Sequence, residues 1–153
     1  MDVKHINPVL DAFTNVLSQL GFQKVERLGL SKTKSLIINK GVISNIGVIG
    51  KLKGSIVIGM DTDSAKKFAS IMMMGMEVSE FDELATSAIA EMSNMVCANA
   101  CTNFTEIGID GLNISPPSII VGKGATIKLA APILLVVKYN VDNLDVDLSI
   151  GLF

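Results

Sequence analysis

Apolar positions recur along this chain with two periods, one helical and one of alternating residues. Val9, Phe13, Val16, Leu17 and Leu20 keep helical spacing, with Asn7 as an N-cap, Pro8 at the first helical position and Gly21 as the stop. Residues 22–34 are polar and read as a short edge strand or loop. From Ser35 the stretches SLIINKG, VISNIGVIG and KGSIVIGMD read as strands, and glycines at 41, 47, 50, 54 and 59 suit turns and bends of a curved sheet. Asp61-Thr-Asp-Ser caps a second helix, with Ala65, Phe68, Ala69 and Met72 in register and Gly75 closing it. Helical spacing returns from Ser79, taken as the cap, to Phe104, with Ile89, Met92 and Val96 on the core side. Gly108 and Gly111 break that helix. After Pro116-Pro117 come a strand SIIVGKG, an extended segment from Thr126 to Asn140, and a last strand. There Leu144, Val146, Leu148, Ile150 and Leu152 alternate with Asp145, Asp147 and Ser149, which predicts an antiparallel strand with one wet face and an edge that a second copy could extend.

SLIINKG at 35–41 and SIIVGKG at 118–124 match at Ser, Ile, Lys and Gly, and each follows a helix and leads into strands. A repeated helix-then-strands unit predicts a single α+β domain over 1–153, a mainly antiparallel sheet with helices on one face and a pseudo-two-fold internal repeat. In that alignment Asn94 falls opposite Asp11 and Glu91 opposite Pro8, so only one of the two helices carries the Glu-x-x-Asn pair.

Composition narrows the chemistry. The 153 residues are 49% apolar but only 5% aromatic, which implies an aliphatic, methionine-filled core. Thirteen basic and fifteen acidic residues give a net charge of −2, without the basic stripe of a nucleic-acid binder. Lys24, Arg27, Lys32, Lys34 and Lys40 read as solvated surface. The longest apolar run, Leu129 to Val137, is far shorter than the ~20 residues of a membrane helix, and MDVKHINPVL lacks a signal-peptide core. Cys97 and Cys101 lie four apart on one helix, too rigidly held for an easy disulfide, and read as small buried or half-buried residues of a cytoplasmic protein. His5 stands alone and reads as structural or solvated. The run Met72-Met73-Met74 with Met76 suits gap-filling or a helix end better than an adaptable binding surface.

One polar group is not required by packing. Ser87, Glu91 and Asn94 stand at i, i+4 and i+7, within about 60° of each other around the helix axis. Ala90, Ala98, Cys97 and Cys101 flank them and would allow a partner to approach closely. A Glu and an Asn three apart on a wet helix are commonplace, so the pair alone says little. No phosphate-cradling loop, dinucleotide fingerprint or nucleophile elbow occurs, and one His excludes most triads. Glu91 and Asn94 supply too few oxygens for a magnesium or calcium site, so no metal is expected.

The fuller pattern is more specific. Ser87, three residues, Glu91, two residues, Asn94, then twenty-two residues and Pro117 stand in the context AEMSNMVCANA, with INPVLDAFTNVL before and PPSIIVGKG after. It resembles the motif of the CheX family of chemotaxis phosphatases, relatives of CheC and of the phosphatase part of FliY, and the likeness runs over essentially the whole chain. Ala98 stands where such proteins often have Gly. The resemblance implies a phosphatase acting on phosphorylated CheY-like response regulators, with no cofactor of its own, because the receiver holds the aspartyl phosphate, Mg2+ and a phosphate-contacting lysine. It implies that Asn94 orients the attacking water and that Glu91 pairs with that lysine. Ser87 would stand at the rim of the docking face with Ala98, and Pro117 would shape the neighbouring loop. It also implies a homodimer paired through its sheets. The alternative is a module that binds and sequesters the receiver without hydrolysis.

Overall fold

The computed structural model describes residues 2–153. A 3-10 turn, Val3–His5, leads into α1 (Asn7–Gln19). Strands β1 (Val25–Ile38), β2 (Gly41–Ile49) and β3 (Gly54–Asp61) follow, then α2 (Thr62–Met72) and α3 (Glu83–Glu106). The chain closes with β4 (Asn113–Ile114), β5 (Ser118–Val121), β6 (Thr126–Val141) and β7 (Leu144–Leu152). All seven strands join one sheet in the order β1-β6-β7-β3-β2-β4, with β5 also paired to β2, and every pairing is antiparallel.

This order carries the internal repeat. The unit α1-β1-β2-β3 and the unit α3-β5-β6-β7 each supply a helix and three strands. The first strand of each unit pairs with the second strand of the other, β1 with β6 and β5 with β2. The third strands, β3 and β7, meet at the centre. A pseudo-two-fold axis therefore runs between β3 and β7 and relates α1 to α3.

Alternation explains which face the helices cover. Val42, Ile46 and Val48 of β2, Ile56, Ile58 and Met60 of β3, and Val146, Leu148 and Ile150 of β7 form one core with Val9, Phe13, Leu17, Phe68, Ile89, Met92 and Val96 from the three helices. Phe13 of α1 stacks on Tyr139 of β6 with ring centroids 4.6 Å apart. The Asn103 side chain donates to the Pro8 carbonyl at 3.0 Å, which joins the end of α3 to the start of α1.

On the opposite face, Ile43, Val57, Leu129, Ala131 and Leu134 make a second, smaller core. The β1–β6 ribbon shifts register between Lys34 and Leu36 and folds part of β6 over that face. A Cβ on Gly151 would lie 2.6 Å from Leu134 Cδ2 and 2.8 Å from Ala131 Cβ, so β7 needs a glycine where the ribbon crosses it.

Several expectations change. The polar stretch 22–34 is an edge strand, but a long one that continues through Ile38. The basic residues Arg27, Lys32 and Lys34 within it, and Lys24 and Lys40 just beyond its ends, are all exposed. β7 is not an edge: β6 and β3 flank it. Its second face is wet only at the Asp145 end, because Ser149 is buried beneath the folded-over ribbon. Asn7 is the first helical residue rather than the cap, a shift of one residue.

Candidate functional site

α3 starts at Glu83, not after Ser79. Asp82 is its N-cap, and the carboxylate accepts a hydrogen bond from the Ala85 amide at 2.9 Å. The intervening Phe81 packs with Val78 against Ala85 and Ala88, so the chain runs along the helix flank before turning into it. At the other end Ile107 caps the helix and Gly108 turns away at φ 88°.

Between these ends the helix divides cleanly. Ile89, Met92, Val96, Ala100 and Phe104 are buried against the sheet. Ser87, Glu91, Asn94, Ala98, Thr102 and Thr105 are exposed along one line. The spacing of three and four residues keeps that line straight. Ser87, Glu91, Asn94 and Ala98 are thus brought onto a single convex ridge. The side chains of Glu91 and Asn94, one turn apart, make no hydrogen bond or ion pair among the described residues.

The small flanking residues are less uniform than the sequence suggests. Ala98 lies on the ridge and Ala90 and Cys101 on its shoulder, whereas Cys97 is buried in the core. Position 97 follows Asn94 by three residues and rotates a further ~60° towards the sheet. Burial, and secondarily the neighbouring Cys101, pushes the Cys97 thiol pKa far above its ordinary value. Burial also raises that of Cys101. Both thiols are free, and their chemistry is that of small core residues rather than nucleophiles.

Pro117 is half-buried immediately before β5, a strand that pairs with β2 and touches α3. Its side chain carries no reactive group. Among the described residues no three His, Cys, Asp or Glu side chains stand together as a metal-binding group. A hollow of about 930 Å³ lies elsewhere, between α1 and the end of α3, where Lys4, Asp11, Asn15 and Glu106 line it. None of Glu91, Asn94, Ala98 or Pro117 lines it. An amide and a carboxylate on a convex ridge do not enclose a small substrate.

Leu84 extends the same line one turn before Ser87 and is 57% exposed. The spacing 84, 87, 91, 94 was available in the sequence, but an apolar residue on a polar stripe does not announce itself in a search for reactive groups.

Comparison with known proteins places this architecture. The family model for the chemotaxis phosphatase CheX matches residues 42–137. The chain is 29% identical over 154 residues to the CheY-P phosphatase CheX of Thermotoga maritima, covering 98% of this chain and 97% of that protein. A CheC-like superfamily protein from Shewanella sp. PV-4 superposes with a TM-score of 0.88 at 23% identity, covering 100% of this chain and 99% of that one. The structure of the CheX-CheY-BeF3-Mg2+ complex from Borrelia burgdorferi matches with a TM-score of 0.77 at 26% identity, over 97% of both chains.

Proposed function

This chain belongs to the CheX family of chemotaxis phosphatases, and from that membership we propose that it accelerates hydrolysis of the aspartyl phosphate on a CheY-like response regulator. One observation carries the reading: the Glu91 and Asn94 side chains stand exposed, one turn apart, on the α3 ridge. The named activity of the Thermotoga maritima relative and the Borrelia burgdorferi complex with CheY support the substrate class.

In this mechanism the receiver supplies the phosphoryl group, its Mg2+ and a phosphate-contacting lysine, and this chain has no cofactor of its own. Asn94 enters the receiver's pocket. Its amide can donate and accept at once, so it holds a water in line with the phosphorus. The new P–O bond forms as the bond to the aspartyl oxygen breaks, which releases inorganic phosphate and restores the carboxylate. Positioning of this kind needs no titrating base, as with the water-orienting glutamine of GTPases. Glu91, one turn away on the same face, pairs with the receiver's lysine and sets the docking register. Ser87 and Ala98 line the contact above and below them, and the small Ala98 lets the partner's backbone come close. Pro117 holds the adjacent strap in place.

We further propose that the protein works in the cytoplasm as a homodimer. Among the described residues no helix is long and apolar enough to cross a membrane. β1 is the long free edge of the sheet, and it exposes Leu28, Leu30, Leu36 and Ile38. That edge, and not β7, is where a second copy would pair.

Phosphate loss from a phosphorylated receiver, followed with and without this protein, separates the two function classes. Faster loss at substoichiometric protein supports the phosphatase. Binding without acceleration would instead make the chain a sequestering module.

A further inference from the structure

Met74 occupies a backbone conformation that methionine does not favour. At the end of α2 the Gly75 amide donates to the Ser70 carbonyl at 2.8 Å and the Met74 amide to the Ile71 carbonyl at 3.2 Å. These are the paired bonds of a Schellman helix end, and they put Met74 at the first position beyond the cap, at φ 61°. Glycine usually holds that position, because a Cβ in the left-handed region crowds the backbone. The methionine side chain gains nothing from its own fold in return: it is 97% exposed.

Two other apolar side chains within ten residues of Met74 are exposed, Met76 at 59% and Leu84 at 57%. Leu84 lies on the same stripe as Ser87 and Glu91, about 10 Å before Glu91 along the axis at 1.5 Å per residue. Met73 packs in the small cluster of Ala85 and Ala88, the flank of α3 that adjoins Leu84. Met74 follows directly, so the loop that carries it and Met76 leaves from that flank of α3. Two shallow hollows, about 520 and 610 Å³, open at the start of α3; Asp82, Glu83 and Ser87 line both, and Leu84 lines the first.

We propose that Leu84, Met74 and Met76 form the apolar docking patch for the receiver domain, gripping the surface beside its phosphorylation pocket. The proposal rests on the phosphatase reading and adds what that reading lacks. A carboxylate and an amide on an exposed ridge give register but little affinity in water. Affinity in protein contacts comes from a few apolar anchors that exclude water around the polar centre. Leu84 is the rigid anchor, set by its helix. The two methionines are unbranched and adapt to the contour they meet, which suits a patch that must fit a partner's surface without a preformed pocket. Leu84 continues the helix stripe of Ser87 and Glu91, so a molecule that those residues enter also meets it. A second copy seated here would block the ridge, whereas the free edge at β1 is open to one.

The test is binding to a receiver domain loaded with BeF3− and Mg2+, measured alongside turnover of the phosphorylated receiver. Leu84→Ser and Met74→Gly should each weaken binding about 5- to 30-fold, the range of an anchor truncation. In turnover the loss should fall in KM rather than kcat. Met74→Gly should at the same time raise Tm, because glycine relieves the left-handed position, so weaker binding cannot be put down to unfolding. Binding by both variants equal to wild type would overturn the patch. Asn94→Ala separates this from the reading beneath it, since it should lose turnover while binding the loaded receiver nearly as wild type does.

Discussion

Tyr139 shows how one buried group ties a helix to the sheet and makes the tie sensitive to pH. Its ring packs on Phe13 of α1, and burial raises its phenol pKa above the ordinary value of 10.0. A folded-state pKa above the unfolded one favours the protonated fold. The stability it contributes is fully present below about pH 10 and is lost as pH rises through the folded value. Urea titrations between pH 8 and 11 should show that loss in wild type, and a Tyr139→Phe variant should show less of it. The ridge residues were legible at this scale, because helical period alone puts Ser87, Glu91, Asn94 and Ala98 on one line. Cys97 and Cys101 are buried and half-buried, as expected, and three residues of rotation from Asn94 turn Cys97 into the core. Met74 was passed over because nothing in the letters Met72-Met73-Met74 tells which methionine is buried and which takes the left-handed position.

For the elements, capping decides where the ridge begins. Ser79 and Asp82 are both good N-cap residues, and sequence has no means to choose between them. Packing of Phe81 against Ala85 and Ala88 makes the choice in favour of Asp82. Asp82→Ala should cost about 1 kcal/mol in chemical denaturation and loosen the turn that carries Leu84 and Ser87. Receiver binding should therefore fall more than an equal destabilisation elsewhere would cause. β7 teaches a related lesson. Its alternation correctly assigned Leu144 through Leu152 to one face, yet alternation is silent on neighbours, and the strand lies inside the sheet. The ribbon that crosses Gly151 joins β6, the hairpin partner of β7, to β1, which lies far away in the chain.

In the whole molecule, the α+β class and the repeat were both visible in a match of a few residues. The strand order that realises them, with first strands exchanged between the halves, was not, since long-range pairing leaves no local trace. α1 occupies the place related to α3, and in the alignment of the two repeats Asp11 and Pro8 fall opposite Asn94 and Glu91, so α1 lacks the Glu-x-x-Asn pair. The free edge at β1 leads us to expect a dimer: light scattering at micromolar concentration should give twice the 16.2 kDa chain mass, and charged replacements of Leu28 and Leu30 should shift it towards monomer. A mass of one chain for the wild type would remove the dimer and leave the ridge untouched. The ridge itself stands or falls on Asn94. In a time course of phosphate loss from a phosphorylated CheY-like receiver, Asn94→Ala should abolish the acceleration that wild type gives, with receiver binding retained, and Glu91→Ala should weaken both. Wild-type turnover by Asn94→Ala would contradict the mechanism.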